Sequence, residues 1–238
     1  MDQSKLFITF SANNKYIEYA RCLLNSLRAN YPRSRACVRI VNVLEGRTAE
    51  LKKDFPEVLF IEDVNRHLCS RLKYVKRDAS LGRGKMFSEE IAYTCHSRFK
   101  NINFLIKNRA KYILSVDADT IFRRNLDDLF NLIKENDIVI NDCSGNFTEE
   151  GVFGLRVNKL TKRFFNRVKG IVEADLFNWD IDTEAFKVAY SEHKENLKMA
   201  MLPKSYKDKS LTKDSHIWSG DGTSKLKENY IKERERYL

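Results

Sequence analysis

Two carboxylates stand two residues apart, Asp117 and Asp119 with Ala118 between them, directly after the apolar run Tyr112-Ile113-Leu114-Ser115-Val116. Carboxylate oxygens suit hard divalent cations such as Mn2+ or Mg2+, and such cations are commonly shared with substrate phosphates. Open α/β sheets collect their ligands just beyond the carboxyl ends of strands. An acidic pair at that place can therefore tie a metal to a diphosphate. The plain alternative, two acids opening a solvated loop, accounts less well for the apolar strand that runs straight into them.

A second group of chemically useful types is His216-Ile217-Trp218-Ser219-Gly220-Asp221-Gly222-Thr223-Ser224-Lys225. Imidazole is a good ligand for manganese-like metals. Glycines let backbone amides approach an anion, and a lysine ammonium can sit on phosphate. A glycine-rich turn beside a histidine is common by itself. Together with Asp117 and Asp119, His216 supplies a third metal ligand, while Gly222 and Lys225 supply a grip on phosphate. His67, His96 and His193 have no such context and read as surface or helix residues.

These groups need a frame, and the pattern of the chain provides one. Lys5 to Phe10 is a β-rich first strand. Ser11-Ala12-Asn13-Asn14 ends it with helix-capping types, and Tyr16 to Ala29 repeats apolar residues at helical spacing until Pro32. Ala36 to Leu44 and Val58 to Ile61 read as further strands. A basic, irregular stretch over 62–84 leads into a long helix predicted from Met86 to about Lys107. Strands follow at 137–140 and 151–157, and helices at 159–168 and 183–193. A lysine-rich loop is expected over 204–213, and a charged helix or tail over 226–238. Strands alternating with helices from the first residues imply a mostly parallel α/β sheet.

Composition narrows the class. A chain of 238 residues, 42% hydrophobic and 11% aromatic, suits one globular core. No apolar run approaches the roughly 20 residues that cross a bilayer. Met1-Asp2-Gln3-Ser4-Lys5 enters the first strand without a signal-peptide pattern, which points to the cytoplasm. Five scattered cysteines without a Cys-x-x-Cys pair imply reduced, mostly buried thiols. The excess of 43 Lys+Arg over 33 Asp+Glu gives a net charge of +10, a field that attracts polyanions. No nucleic-acid-binding motif accompanies it, so nucleic-acid binding is not favoured as the sole function.

The order of the motifs resembles glycogenin-like enzymes, family 8 of the glycosyltransferases, from about Leu6 to Lys225. Phe7-Ile8-Thr9-Phe10-Ser11-Ala12-Asn13-Asn14-Lys15-Tyr16 is similar to that family's nucleotide-binding opening. Val116-Asp117-Ala118-Asp119-Thr120 and the succeeding Asn125-Leu126-Asp127-Asp128-Leu129-Phe130 are similar to its Asp-x-Asp strand and following helix. The resemblance implies a GT-A fold and a nucleoside-diphosphate sugar donor, UDP in the first place. It further implies transfer to an acceptor hydroxyl with retention, and Mn2+ or Mg2+ held by Asp117, Asp119 and His216. Donor contacts would fall to Thr9, Ser11, Ala12, Asn14, Tyr16, Lys85, Arg98, Asp117, Ala118, Gly222 and Lys225. Asp182 and Arg98 would serve the transferred sugar. The chain departs from the family pattern in three places. The His-x-x-Gly-x-x-Lys spacing is stretched by about three residues, no Gln follows Asp182, and Glu149-Glu150-Gly151 replaces Asn-Ser-Gly.

Asp117-Ala118-Asp119-Thr120 is also similar to the first motif of haloacid-dehalogenase-like phosphatases, in which Asp117 would be the nucleophile beside Mg2+. That motif normally sits on the opening strand, whereas here more than a hundred residues precede it. The expectation carried forward is one GT-A domain over 1–225 with a basic helix or tail over 226–238. Its acceptor is a glycan, a lipid-linked glycan or a nucleic acid, and the tail offers contact with an anionic membrane.

Overall fold

The computed structural model describes residues 5–65, 72–75, 85–141, 151–178, 181–220 and 222–238, with the backbone alone for 72–75 and 85–87. Its first strand, β1 (Leu6–Asn13), is buried along its whole length. That explains why it lacks a polar face: helices cover both sides of a parallel sheet. Helix α1 (Ile17–Asn30) follows a single 3-10 turn over Asn14–Tyr16, and β2 (Arg35–Val41), α2 (Glu45–Asp54) and β3 (Leu59–Asp63) extend the sheet outward. The backbone of β4 (Leu72–Val75) and β5 (Lys85–Ser88) pairs as a separate antiparallel ribbon.

The chain then crosses to the other side of β1 through α3 (Glu89–His96), α4 (Arg98–Lys107) and β6 (Tyr112–Ser115). After β7 (Thr120–Phe122) and α5 (Asp127–Glu135) come β8 (Ile138–Ile140) and β9 (Phe153–Arg156). Next are α6 (Lys159–Ala174), α7 (Ile181–His193), β10 (Met199–Met201), β11 (Ile217–Ser219) and α8 (Glu228–Glu235). The seven-stranded sheet has the order β10-β8-β9-β6-β1-β2-β3. Strand β9 runs antiparallel to both of its neighbours, and the other strand pairs are parallel.

Alternate residues of β1 feed two cores. Leu6, Ile8, Phe10 and Ala12 pack with α1 and α5, while Phe7 joins Phe99, Phe153, Phe164 and Phe186 under α4, α6 and α7. In the second core Phe153 and Phe186 meet edge to face with centroids 5.2 Å apart. Burying each such ring stabilises the fold by about 1.5–3 kcal/mol.

The mostly parallel sheet and its single domain match the expectation; two local features differ. The long helix predicted from Met86 is broken at Ser97, whose hydroxyl donates back to the Thr94 carbonyl at 2.7 Å. The 204–213 loop is ordered around Asp208, which accepts from the Ser210 and Thr212 amides at 2.7 and 2.6 Å. Serine and threonine near an aspartate make such local closures readily.

Candidate active site

The path of the chain creates a crevice beside β1. Strands β2 and β3 lie on one side of it and β6 on the other, so the order reverses between β1 and β6. Their pairing ends at Thr9 opposite Ser115, with one further link from the Val116 amide to the Thr9 carbonyl at 3.0 Å. Beyond it the two strands part, and Asp117 to Asp119 leaves the sheet where β1 reaches Ser11 to Asn13. Ligands of open α/β sheets bind at such a reversal.

Asp117 is held from the helical side. The break at Ser97 starts α4 at Arg98, a buried guanidinium whose Nη1 donates to Asp117 Oδ1 at 3.0 Å and whose Nη2 donates to Asp182 Oδ2 at 2.7 Å. Burial works against the charge, but the two carboxylates more than offset it and hold Arg98 above the ordinary arginine range. Asp182 lies in the first turn of α7, and its Oδ1 accepts from the Thr183 amide at 2.9 Å. Behind it His96 is fully buried. His96 Nδ1 is 2.8 Å from the Leu176 carbonyl, so that nitrogen carries a proton, and Nε2 is 4.0 Å from Asp182 Oδ1. Gly151 passes so close that a Cβ there would come within 2.2 Å of Asp117 Oδ2. Only glycine fits.

Asp119 is held by the C-terminal part of the chain. Strand β11 pairs with β7 so that Ser219 lies opposite Thr120, and the Gly220 amide donates to the Asp119 carbonyl at 2.9 Å. The same carbonyl accepts from Tyr230 Oη on α8 at 2.7 Å. Lys225 Nζ lies 3.1 Å from Asp119 Oδ2 and 3.2 Å from Tyr16 Oη, over the Tyr16 ring. Burial disfavours this ammonium, yet Asp119 and Tyr16 raise it above the ordinary lysine range, so it is charged at neutral pH. Asp119 is the more enclosed acid, its side chain 9% exposed against 33% for Asp117.

The remaining expected residues divide. Asn14 lies at the mouth, where its carbonyl and side-chain oxygen accept from Arg47 Nη1 at 2.9 and 3.2 Å. Ser11 Oγ is buried at the end of β1 with no hydrogen-bond partner. Gly222 takes a left-handed φ of 60°, which favours glycine in the turn before Lys225. Ala118 packs its methyl into the α1-side core, as does Ala12. Thr9 is inside the sheet, its hydroxyl donating to the Cys37 carbonyl at 2.9 Å. The side chains of Thr9 and Ala12 therefore do not face the crevice. The side chain of Lys85, together with Asp221, Glu149 and Glu150, lies outside the described residues.

His216 was expected as a third metal ligand beside Asp117 and Asp119. It lies opposite Arg123, four residues along the β7–β11 ribbon from the point where Gly220 meets Asp119, or roughly 13 Å of backbone at about 3.3 Å per residue. Its ring stacks on Tyr206 with centroids 4.6 Å apart. Burial first, and then Arg124, lower its pKa. Among the described residues no group of three His, Cys, Asp or Glu side chains converges as a metal cage. Asp117 and Asp119 offer hard oxygen donors of the kind that suit a cation shared with phosphates.

Sequence reasoning passed over His96, Gly151 and Tyr230. None carried a local signal, since each acts through chain segments brought together from a distance. His96, read from sequence as a surface or helix residue, is part of the wall behind Asp182. Cys95 lies near the same acids, and burial pushes its thiol up to about 12, too high for a nucleophile at neutral pH.

Comparison with known proteins agrees with this architecture. The glycosyltransferase GlyE of Streptococcus pneumoniae TIGR4 superposes with a TM-score of 0.61 at 14% identity over 98% of this chain and 60% of GlyE. The galactosyltransferase LgtC, in complex with donor and acceptor sugar analogues, superposes with a TM-score of 0.61 at 14% identity, over 97% of this chain and 93% of LgtC. The bifunctional glycosyltransferase WbbM gives 0.57 at 13% identity, with 98% of this chain covering 50% of that protein. The chain thus spans about 60% of GlyE and half of WbbM but nearly all of LgtC. These likenesses establish the GT-A fold. Curated protein sequences yield no match to this chain. The sequence profile of nucleotide-diphospho-sugar transferases matches residues 58–230, from β3 through the crevice to Tyr230 on α8. The phosphatase reading is not favoured: Asp117 follows the central strand β6 with its carboxylate against Arg98, rather than an opening strand. With most of its length matched, the chain belongs to the nucleotide-diphospho-sugar transferase family.

Proposed function

We propose that the protein transfers a sugar from a UDP-sugar to an acceptor hydroxyl, with retention of anomeric configuration. The observation that carries this reading is the alternating row of charges, Asp182, Arg98, Asp117, Asp119 and Lys225, placed at the sheet's reversal point. In this reading Tyr16, Asn14 and Ser11 receive the nucleoside at the end of β1. The Lys225 ammonium moves from Asp119 to the departing diphosphate and stabilises the charge that develops there. Arg98 orients Asp117 and Asp182, and Asp182 faces the transferred sugar. Asp117 and Asp119 would hold a divalent cation without His216, and when bound it supplies Lewis-acid stabilisation of the leaving diphosphate. The acceptor is the hydroxyl of a glycan, free or lipid-linked, with a nucleic-acid hydroxyl as a further possibility of the same chemistry.

A thermal-shift panel of nucleotide-sugars with and without Mn2+ tests the proposal. A rise in melting temperature with one UDP-sugar, larger with Mn2+, is the expected result. No response to any nucleotide-sugar would sink it, and a response confined to another nucleotide would remove UDP.

A further inference from the structure

The net charge of +10 is not expressed evenly, because ion pairing decides where it is felt. On the side of α1, α2 and α8 the arginines are answered: Arg21, Arg28, Arg47 and Arg123 each lie within salt-bridge distance of an acid. The C-terminal helix, expected to be a basic membrane contact, belongs to this answered surface. Lys232 pairs with Glu228, Arg236 with Glu233, and Tyr230 is buried against the Asp119 carbonyl.

At the end of the sheet away from Asp117 the situation reverses. Strand β6 is entered at Tyr112, opposite Arg156 of β9, and the Val157 amide donates to the Lys111 carbonyl at 2.7 Å. This pairing brings the end of α4 beside the start of α6. Lys107, Arg109, Lys111, Lys159, Lys162 and Arg163 gather there, and among the described residues none has an ion-pair partner. Cations at the end of α4 suit its dipole, but Lys159 and Lys162 stand in the first turn of α6, where the dipole is itself positive and no acid is present. Of the nearby acids, Asp137 is engaged by Arg156, which leaves the exposed Glu135 and Glu195 against the cluster.

Between α4 and α6 lies a depression of about 400 Å³ lined by Asn103, Ile106, Lys107, Arg109, Lys162 and Asn166. Cations with amide donors around a shallow hollow suit a phosphate group. None of the exposed large apolar residues, which include Leu44, Val64, Phe177 and Leu226, belongs to this edge. Among the described residues it therefore has no exposed apolar wedge to insert into acyl chains and no exposed phenylalanine on which a nucleobase could stack.

We propose that this edge docks the protein on an anionic phospholipid surface, held at headgroup level by electrostatics, with one headgroup phosphate in the hollow between α4 and α6. Juxtaposed basic residues bind anionic leaflets in this way, and the attraction falls off within a Debye length. Docked so, the crevice faces away from the bilayer.

Vesicle co-sedimentation tests the assignment with phosphatidylcholine alone and with about 30 mol% phosphatidylglycerol added. The protein should partition onto the anionic vesicles only and be released by added salt. Replacing Lys107, Arg109, Lys162 and Arg163 together by Gln should lower the partition coefficient by about tenfold or more, whereas Lys227→Gln with Lys232→Gln should leave it within about twofold. If the fourfold variant melts early, Lys107→Gln with Lys162→Gln read at low salt gives a smaller loss of the same sign. Undiminished binding of the edge variants, equal binding to neutral vesicles, no binding at all, or tighter binding to a duplex oligonucleotide each overturns the proposal. None of these outcomes depends on sugar transfer.

Discussion

Asp117 and Asp119 are near neighbours in sequence, yet opposite parts of the fold hold them. Asp117 leans on Arg98, and through it on Asp182 and His96, all carried by helices packed on the central sheet. Asp119 leans on Gly220, Lys225 and Tyr230, carried by a two-stranded ribbon and the C-terminal helix. The first support is interior and bound up with the aromatic core, while the second is peripheral and built around one half-buried lysine. The proposed transfer would use both kinds of support: fixed geometry beside Asp182, and the Lys225 charge to meet the departing diphosphate.

Three substitutions test that division, taken from the largest effect to the smallest. Arg98→Ala leaves two enclosed carboxylates facing one another, and breaking a buried pair from one side costs about 3–5 kcal/mol. Urea denaturation should show that loss together with abolished transfer; a change under about 1 kcal/mol would mean that the helical support is not structural. Lys225→Met should do the reverse. Its stability change should be smaller than that of Arg98→Ala, because only one carboxylate loses its partner and the Lys225 side chain is 23% exposed, while kcat/KM for the nucleotide-sugar falls about 10²–10³-fold. Equal damage to both readouts would erase the contrast. Tyr230→Phe removes one buried hydrogen bond to the Asp119 carbonyl and should cost about 1–2 kcal/mol. Its transfer rate should drop far less than that of Lys225→Met, and a larger drop would show that α8 does more than brace the ribbon.

Much of the central frame was legible because it follows from periodicity. β1 ends in polar capping types, β6 runs straight into the acidic pair, and the helices that cover the sheet carry apolar stripes. Arg98, Asp182 and Lys225 were identifiable as donor-side candidates through resemblance, and they do gather around the crevice. What escaped was set by pairing over long separations. Strand β7 is three residues long and reads as loop until β11, almost a hundred residues later, pairs with it. That register places His216 opposite Arg123, and sequence spacing alone does not reveal a register. Gly151 was visible only as a departure from the family pattern, but its lack of a Cβ is what admits the Asp117 carboxylate. The break at Ser97 was hidden because Ile91, Cys95, Phe99 and Ile102 keep helical spacing across it.

The hydrogen bond from Tyr230 to the Asp119 carbonyl also bears on the order of synthesis. The seven-stranded sheet is complete once β10 has left the ribosome, and the acidic pair is then already in place at its edge. Lys225 and Tyr230 arrive only afterwards, and contacts between distant segments form late. A nascent chain stopped after β10 therefore has its sheet and its acidic pair but lacks the lysine and the tyrosine that enclose Asp119.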